Sequence, residues 1–193
     1  MNTKVAFFKE AIKNFKTTGT IMPSSKFLIK RMLKEIDFKK TNVLVEFGAG
    51  NGIITKSILK KMRKDAVLFC FEINPEFYSH LKLINDNRLI VVNQSAQEVK
   101  NVLNKHNIAS VDCIISSLPL TMLPAEISKS ILHISKNLLK NESVFIQYQY
   151  SINFFKIFKQ VFGKNNVFLA FELMNIPPAF IYKCKKNIIA KNS

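Results

Sequence analysis

Apolar positions along this 193-residue chain change period several times, and the changes mark out its elements. Residues 3–16 read as an amphipathic helix. At 100° per residue Val5, Phe8, Ala11, Ile12 and Phe15 share one face, Phe7 widens it, and Lys9, Lys13 and Lys16 cluster beside it. Gly19 and Pro23 interrupt the pattern, and Ser24 or Ser25 caps a second helix running to about Ile36. Short apolar runs then alternate with helical patterns. Strands are predicted at 43–47, 67–72, 89–92, 111–116 and 143–148, with helices at about 53–63, 75–85, 95–106, 124–138 and 151–162. Two late apolar segments, 167–174 and 179–184, read as an antiparallel pair joined near Pro177-Pro178. Such alternation predicts an α/β fold in one domain over 1–193: a parallel sheet with helices on both faces.

In such sheets ligands bind at the carboxyl ends of the strands, near the point where strand order reverses. Four polar or glycine-rich segments fall there: Glu46–Gly52, Glu72-Ile73, Ser95-Ala96 and Ser116–Leu120. In the first, Gly48, Ala49, Gly50 and Gly52 follow an apolar strand and precede a helix, so the backbone can approach a ligand where a Cβ would clash. Glu72 closes the next strand, 20 residues after Gly52, where a carboxylate can accept hydrogen bonds from ribose hydroxyls. The G-x-G-x-G spacing, with Glu46 two residues before it, differs from the dinucleotide fingerprint. It resembles motif I of S-adenosylmethionine (SAM) dependent methyltransferases. That resemblance implies a Rossmann-like sheet of about seven mostly parallel strands with the N-terminal amphipathic helix added. SAM is the implied cofactor, its methionine part held by the turn (Glu46, Gly48, Ala49, Gly50, Gly52) and its ribose by Glu72 and Ile73. Ser95 and Ala96 fit an adenine contact or a plain helix cap. Ser116-Ser117-Leu118-Pro119-Leu120 stands where amino-methyltransferases bind the nucleophilic nitrogen. Nucleic-acid adenine methyltransferases carry Asn or Asp, then Pro-Pro or Leu-Pro, then an aromatic that stacks on the base. Here Ser116 takes the first place and Leu120 the aromatic one, which suits a substrate without a ring.

Charge narrows the partners. Twenty-nine Lys and Arg against 13 Asp and Glu leave a formal +16. That favours a polyanion, either nucleic acid or an anionic membrane surface. Cys70, Cys113 and Cys184 form no CxxC pair and read as core thiols in a reducing cytoplasm. No metal-ligating constellation is visible. No signal peptide is visible, and no apolar stretch reaches the roughly 20 residues that span a bilayer.

A narrower resemblance extends over nearly the whole chain. Gly19-Thr20-Ile21-Met22-Pro23-Ser24-Ser25-Lys26-Phe27-Leu28, Ser116–Leu120, Phe145-Ile146-Gln147-Tyr148-Gln149-Tyr150 and Asn175-Ile176-Pro177-Pro178-Ala179 together resemble the peripheral-membrane type of bacterial phospholipid N-methyltransferase. The implied reaction is methylation of phosphatidylethanolamine or its methylated forms toward phosphatidylcholine, on the inner face of the cell membrane. Tyr150, Ser116, Leu118 and Pro119 are the implied catalytic residues, with Tyr148 beside the methylated ammonium. Phe7, Phe8, Lys9, Ile12, Lys13, Phe15 and Lys16 become the membrane-docking face. One alternative is an enzyme like the rRNA adenine dimethyltransferases, opposed by Leu120 and by the absence of residues for their usual C-terminal helical domain. Another is a non-catalytic SAM-fold protein that only binds membrane.

Overall fold

The computed structural model describes residues 24–186. The expected helix over 3–16, and with it Phe7, Phe8, Lys9, Ile12, Lys13, Phe15 and Lys16, lies outside them. Ser25 caps α1 (Lys26–Leu33), its Oγ accepting the Leu28 N–H at 3.1 Å. The order then runs β1 (Val43–Phe47), α2 (Ile53–Leu59), β2 (Val67–Phe71), α3 (Pro75–Lys82), β3 (Leu89–Val92), α4 (Val99–Lys105), β4 (Val111–Ser116), α5 (Ala125–Leu138), β5 (Leu139–Gln149), α6 (Phe155–Phe162), β6 (Val167–Glu172) and β7 (Ala179–Lys185). The predicted single helix 95–106 is split: a 3-10 turn, Ala96–Glu98, precedes α4. The predicted strand 143–148 starts earlier. Leu139 pairs with Val111, and the register shifts before Val144 pairs with Cys113. Polar Lys140–Ser143 hides this start, because it lacks the alternation that marks a strand.

The strands form one seven-stranded sheet in the order β3-β2-β1-β4-β5-β7-β6. The first five are parallel, while β7 runs antiparallel to β5 and β6. Order reverses between β1 and β4, the neighbours at the centre. Leu44, Val45, Glu46 and Phe47 are all buried, because β1 is covered on both faces. On one face Val45, Phe47, Ile114 and Phe145 pack against α4, α5 and α6. On the other, Leu44, Cys113, Ile115 and Ile146 pack against α1 and α2. Full burial of a side chain such as Phe47 contributes about 2–3 kcal/mol. Cys70, Cys113 and Cys184 are buried free thiols. Among the described residues, no helix is long and apolar enough to cross a membrane.

Candidate active site

The turn between β1 and α2 holds its glycines in left-handed backbone, with Gly48 at φ 72° and Gly52 at φ 79°. At Gly48 space matters as well. A Cβ there would stand 3.0 Å from Leu118 Cδ2, so the turn and the loop after β4 meet because this position has no side chain. The Gly48 N–H donates to the Phe71 carbonyl at 2.9 Å. Glu72 braces the turn from the next strand: Oε2 accepts the Gly50 N–H at 2.7 Å and Oε1 the Asn74 N–H at 2.8 Å. Asn93 Nδ2 donates to the Glu72 carbonyl at 2.8 Å, fixing this strand end to β3.

A cleft opens beside the turn. Of the expected residues Gly48, Glu72, Ile73, Ala96 and Leu118 line it, joined by Phe71 and Gln94. Ser95 does not line it. Its hydroxyl accepts the Gln97 N–H at 3.3 Å and caps the 3-10 turn. Ala49 packs with Cys70 and Leu81 beneath the turn. Glu46 also lies beneath it, wholly buried on the α2 face of β1. Its Oε2 accepts from Thr55 Oγ1 at 2.7 Å, Cys70 Sγ lies at 3.7 Å, and Oε1 has no partner among the described residues. Burial pushes the Glu46 pKa up to about 7, more than the Thr55 and Cys70 hydrogen bonds lower it.

The loop after β4 is tied down at several points. Buried Ser116 accepts the Leu118 N–H at 3.3 Å, and the Ser117 N–H donates to the Phe47 carbonyl at 2.9 Å. The Leu118 carbonyl accepts two amides from β5, Gln147 Nε2 at 3.0 Å and Gln149 Nε2 at 3.2 Å. Gln147 Nε2 also donates to the Tyr148 carbonyl at 2.7 Å. Two buried oxygens here, Ser117 Oγ and Gln147 Oε1, have no partner among the described residues. Buried polar atoms of that kind call for a partner. The sequence pattern assigned no role to Ser117, and left the two glutamines as motif letters. Their signal was present: polar residues at alternate positions of an otherwise apolar interior strand.

Tyr148 and Tyr150 project to the opposite face, packing with the α1 cluster. Their rings meet edge to face, centroids 5.8 Å apart, and the Ser24 hydroxyl is 3.5 Å from the Tyr148 hydroxyl. Burial and the neighbouring Tyr148 push the Tyr150 pKa up to about 12. Tyr150 is therefore the neutral phenol at physiological pH. Neither tyrosine lines the cleft. Of the predicted catalytic group only Leu118 lines the cleft; Ser116 is buried, Pro119 is not among the lining residues, and Tyr150 packs with the α1 cluster.

A glycine turn at a helix start, an acid on the next strand, and a cleft between them match a family. Residues 14–162 match the family described as Ribosomal RNA adenine dimethylase. The chain belongs to that family. An ornithine lipid N-methyltransferase from Singulisphaera acidiphila is 27% identical over 181 residues, covering 93% of this chain and 94% of that one. A ribosomal RNA small subunit methyltransferase A from a Sulfurihydrogenibium species is 31% identical over 120 residues, 53% of this chain and 46% of that one. Among solved structures, precorrin-6y C5,15-methyltransferase from Geobacter metallireducens superposes with TM-score 0.68 at 14% identity, covering 87% of this chain and 92% of that chain. An rRNA methylase from Streptococcus thermophilus gives 0.62 at 10%, with 88% and 99% covered. These two likenesses concern the fold alone.

The protein is a SAM-dependent methyltransferase with the Rossmann-like fold of that superfamily. Its own residues fit the cofactor. Gly48 leaves the space at the turn that a Cβ would fill, and Glu72 lines the cleft from the strand end where a ribose-binding acid belongs. Among the described residues no cluster of His, Cys, Asp and Glu has the makings of a metal site.

Proposed function

We infer that the protein transfers methyl groups to the amine of a membrane lipid, phosphatidylethanolamine or its methylated forms on the notion of a small headgroup amine, or an ornithine lipid as in the relative above. Leu120 carries this reading. It holds the place where base-methylating relatives stack an aromatic ring, yet it is wholly buried in the core and its carbonyl accepts the Ser128 hydroxyl at 2.8 Å. A flipped base would find no ring there, whereas a small alkylamine needs none. The near end-to-end match to a lipid N-methyltransferase supports the same substrate class.

Bound SAM supplies an already electrophilic methyl group, so the protein's task is chiefly alignment. The cleft-side residues carry that task. Gln147 and Gln149 occupy the Leu118 carbonyl and hold the loop after β4 still. Glu72 and the glycine turn hold the cofactor side. The N-terminal segment, with Phe7, Phe8, Ile12 and Phe15 beside Lys9, Lys13 and Lys16, docks the enzyme on anionic membrane from the cytoplasmic side.

The test is purified protein with labelled SAM and anionic vesicles holding phosphatidylethanolamine or ornithine lipid, against a ribosomal RNA fragment. We expect label in extracted lipid. Label only in RNA would overturn the reading, and the number of methyl groups would follow from the products.

A further inference from the structure

The rim that carries the cleft also carries an apolar projection. β6 and β7 are joined by residues 173–178. Glu172 pairs with Ala179 and Gln149 pairs with Phe180, so this turn stands at the carboxyl end of β5, on the same rim as Ser116–Leu120. Leu173, Met174 and Ile176 are 70%, 60% and 69% exposed. Exposed apolar residues scattered singly need no explanation, but three grouped at one tip do.

The tip is held in place. Asn175, in its middle, is buried. Its Oδ1 accepts the Ser25 N–H at 2.9 Å and its Nδ2 donates to the Pro177 carbonyl at 2.7 Å. Glu172 Oε1 accepts the Met174 N–H at 2.9 Å. The polar residue is turned inward, and its apolar neighbours are held outward.

The turn abuts the start of α1. The exposed residues of α1 include Lys26, Phe27, Lys30 and Arg31, and Arg31 lies 3.8 Å from Glu172. Residues 173–178 carry no charge. An uncharged apolar tip beside three cations complements the boundary of an anionic bilayer. Leu, Met, Ile and Phe enter the acyl boundary, and Lys and Arg remain among the headgroups. RNA would engage the cations and find one ring, Phe27, but gain nothing from Leu, Met and Ile, which make up the rest of the apolar surface.

On the reading of the protein as an amino-lipid methyltransferase, we propose that the turn Leu173–Ile176, together with Phe27, is a wedge that inserts into anionic membrane and seats the mouth of the active site on the lipid. It acts in addition to the N-terminal segment.

The test is an environment-sensitive fluorophore on the full chain at Met174→Cys, compared with Leu83→Cys. The native thiols are buried, so label goes to the introduced one. Leu83 is 80% exposed, but it lies between α3 and β3, at the opposite end of the sheet. Phosphatidylglycerol–phosphatidylcholine vesicles should shift the label at 174 to the blue and expose it to lipid-borne quenchers, leaving the label at 83 unchanged. A label at 174 that stays in water while the protein co-sediments overturns the wedge. So does one already shielded before vesicles are added, because another segment or a second copy then covers the tip. So does one that responds to ribosomal RNA and not to vesicles. A Leu173→Ser, Met174→Ser, Ile176→Ser variant should lose vesicle binding on the order of 10-fold or more while methylating a short-chain, monomeric amino lipid at the unsubstituted rate. Equal loss on both substrates would mark a structural role and overturn the wedge. Absence of transfer to any amino lipid by the unsubstituted protein would overturn the substrate reading instead, and the depth of the label at 174 would still decide the wedge.

Discussion

Glu46 is a carboxylate that burial keeps protonated over part of the accessible pH range. Its pKa stands at about 7 in the folded protein, against an ordinary 4.5. Between those values the unfolded chain has released the proton and the folded chain still binds it, so stability falls as pH rises through that window. Above about 7 the loss is complete, on the order of 3 kcal/mol. Glu46→Gln removes the titration. Thermal melts of the two proteins should diverge in favour of Glu46→Gln as pH rises from about 5 to about 8, by an amount approaching that figure. A constant difference across the range would mean that Glu46 does not titrate there. The acid two residues before the first glycine was evident from the sequence, but its isolation from solvent was not. That follows from α2 laying Thr55 over it and β2 bringing Cys70 alongside.

Contacts between distant parts of the chain set both the geometry of the site and the seating of a helix. β5 delivers Gln147 and Gln149 to the Leu118 carbonyl. Gln149→Met leaves that carbonyl one donor and loosens the loop, and small misplacements near reacting groups are costly. Methyl transfer should fall about 10-fold or more while SAM affinity, read by calorimetry, is unchanged. Loss of SAM binding in parallel would show that the pair serves the cofactor. On the other side of the sheet Arg88, just before β3, closes the end of α2. It donates to the carbonyls of Leu59 at 2.9 Å, Met62 at 3.0 Å and Arg63 at 3.2 Å, and pairs with Asp86 at 2.6 Å. Arg88→Ala orphans those carbonyls and should cost about 1–3 kcal/mol in denaturant unfolding, with Arg88→Lys recovering only part. At this scale helix starts were readable, because Ser25 and Asn74 cap where the residue type predicts. The start of β5 was not, since pairing rather than alternation defines it.

Across the whole molecule, the +16 charge and the apolar tip call for two kinds of attraction, with different responses to salt. Charge attraction fades as the screening length shortens, whereas apolar insertion persists. Binding to anionic vesicles should drop steeply as salt is raised from about 0.05 to 0.5 M, yet retain a salt-resistant remainder. Complete release at high salt would assign all of the affinity to charge. The sequence alone determined the alternation of strand and helix, the glycine turn with its acid 20 residues on, and the basic surface, because period, backbone freedom and charge are local properties. Only the tertiary structure decided which partners those residues meet. Ser25 binds Asn175 across 150 positions, and Gln149 binds Leu118 across 31. Such contacts depend on strand order and register, which are settled by the packing of both sheet faces at once. Alternation along β5 separates Tyr148 from Gln147 and Gln149, but it was the strand order, with β5 beside β4, that turned the glutamines toward the loop after β4 and Tyr148 toward α1.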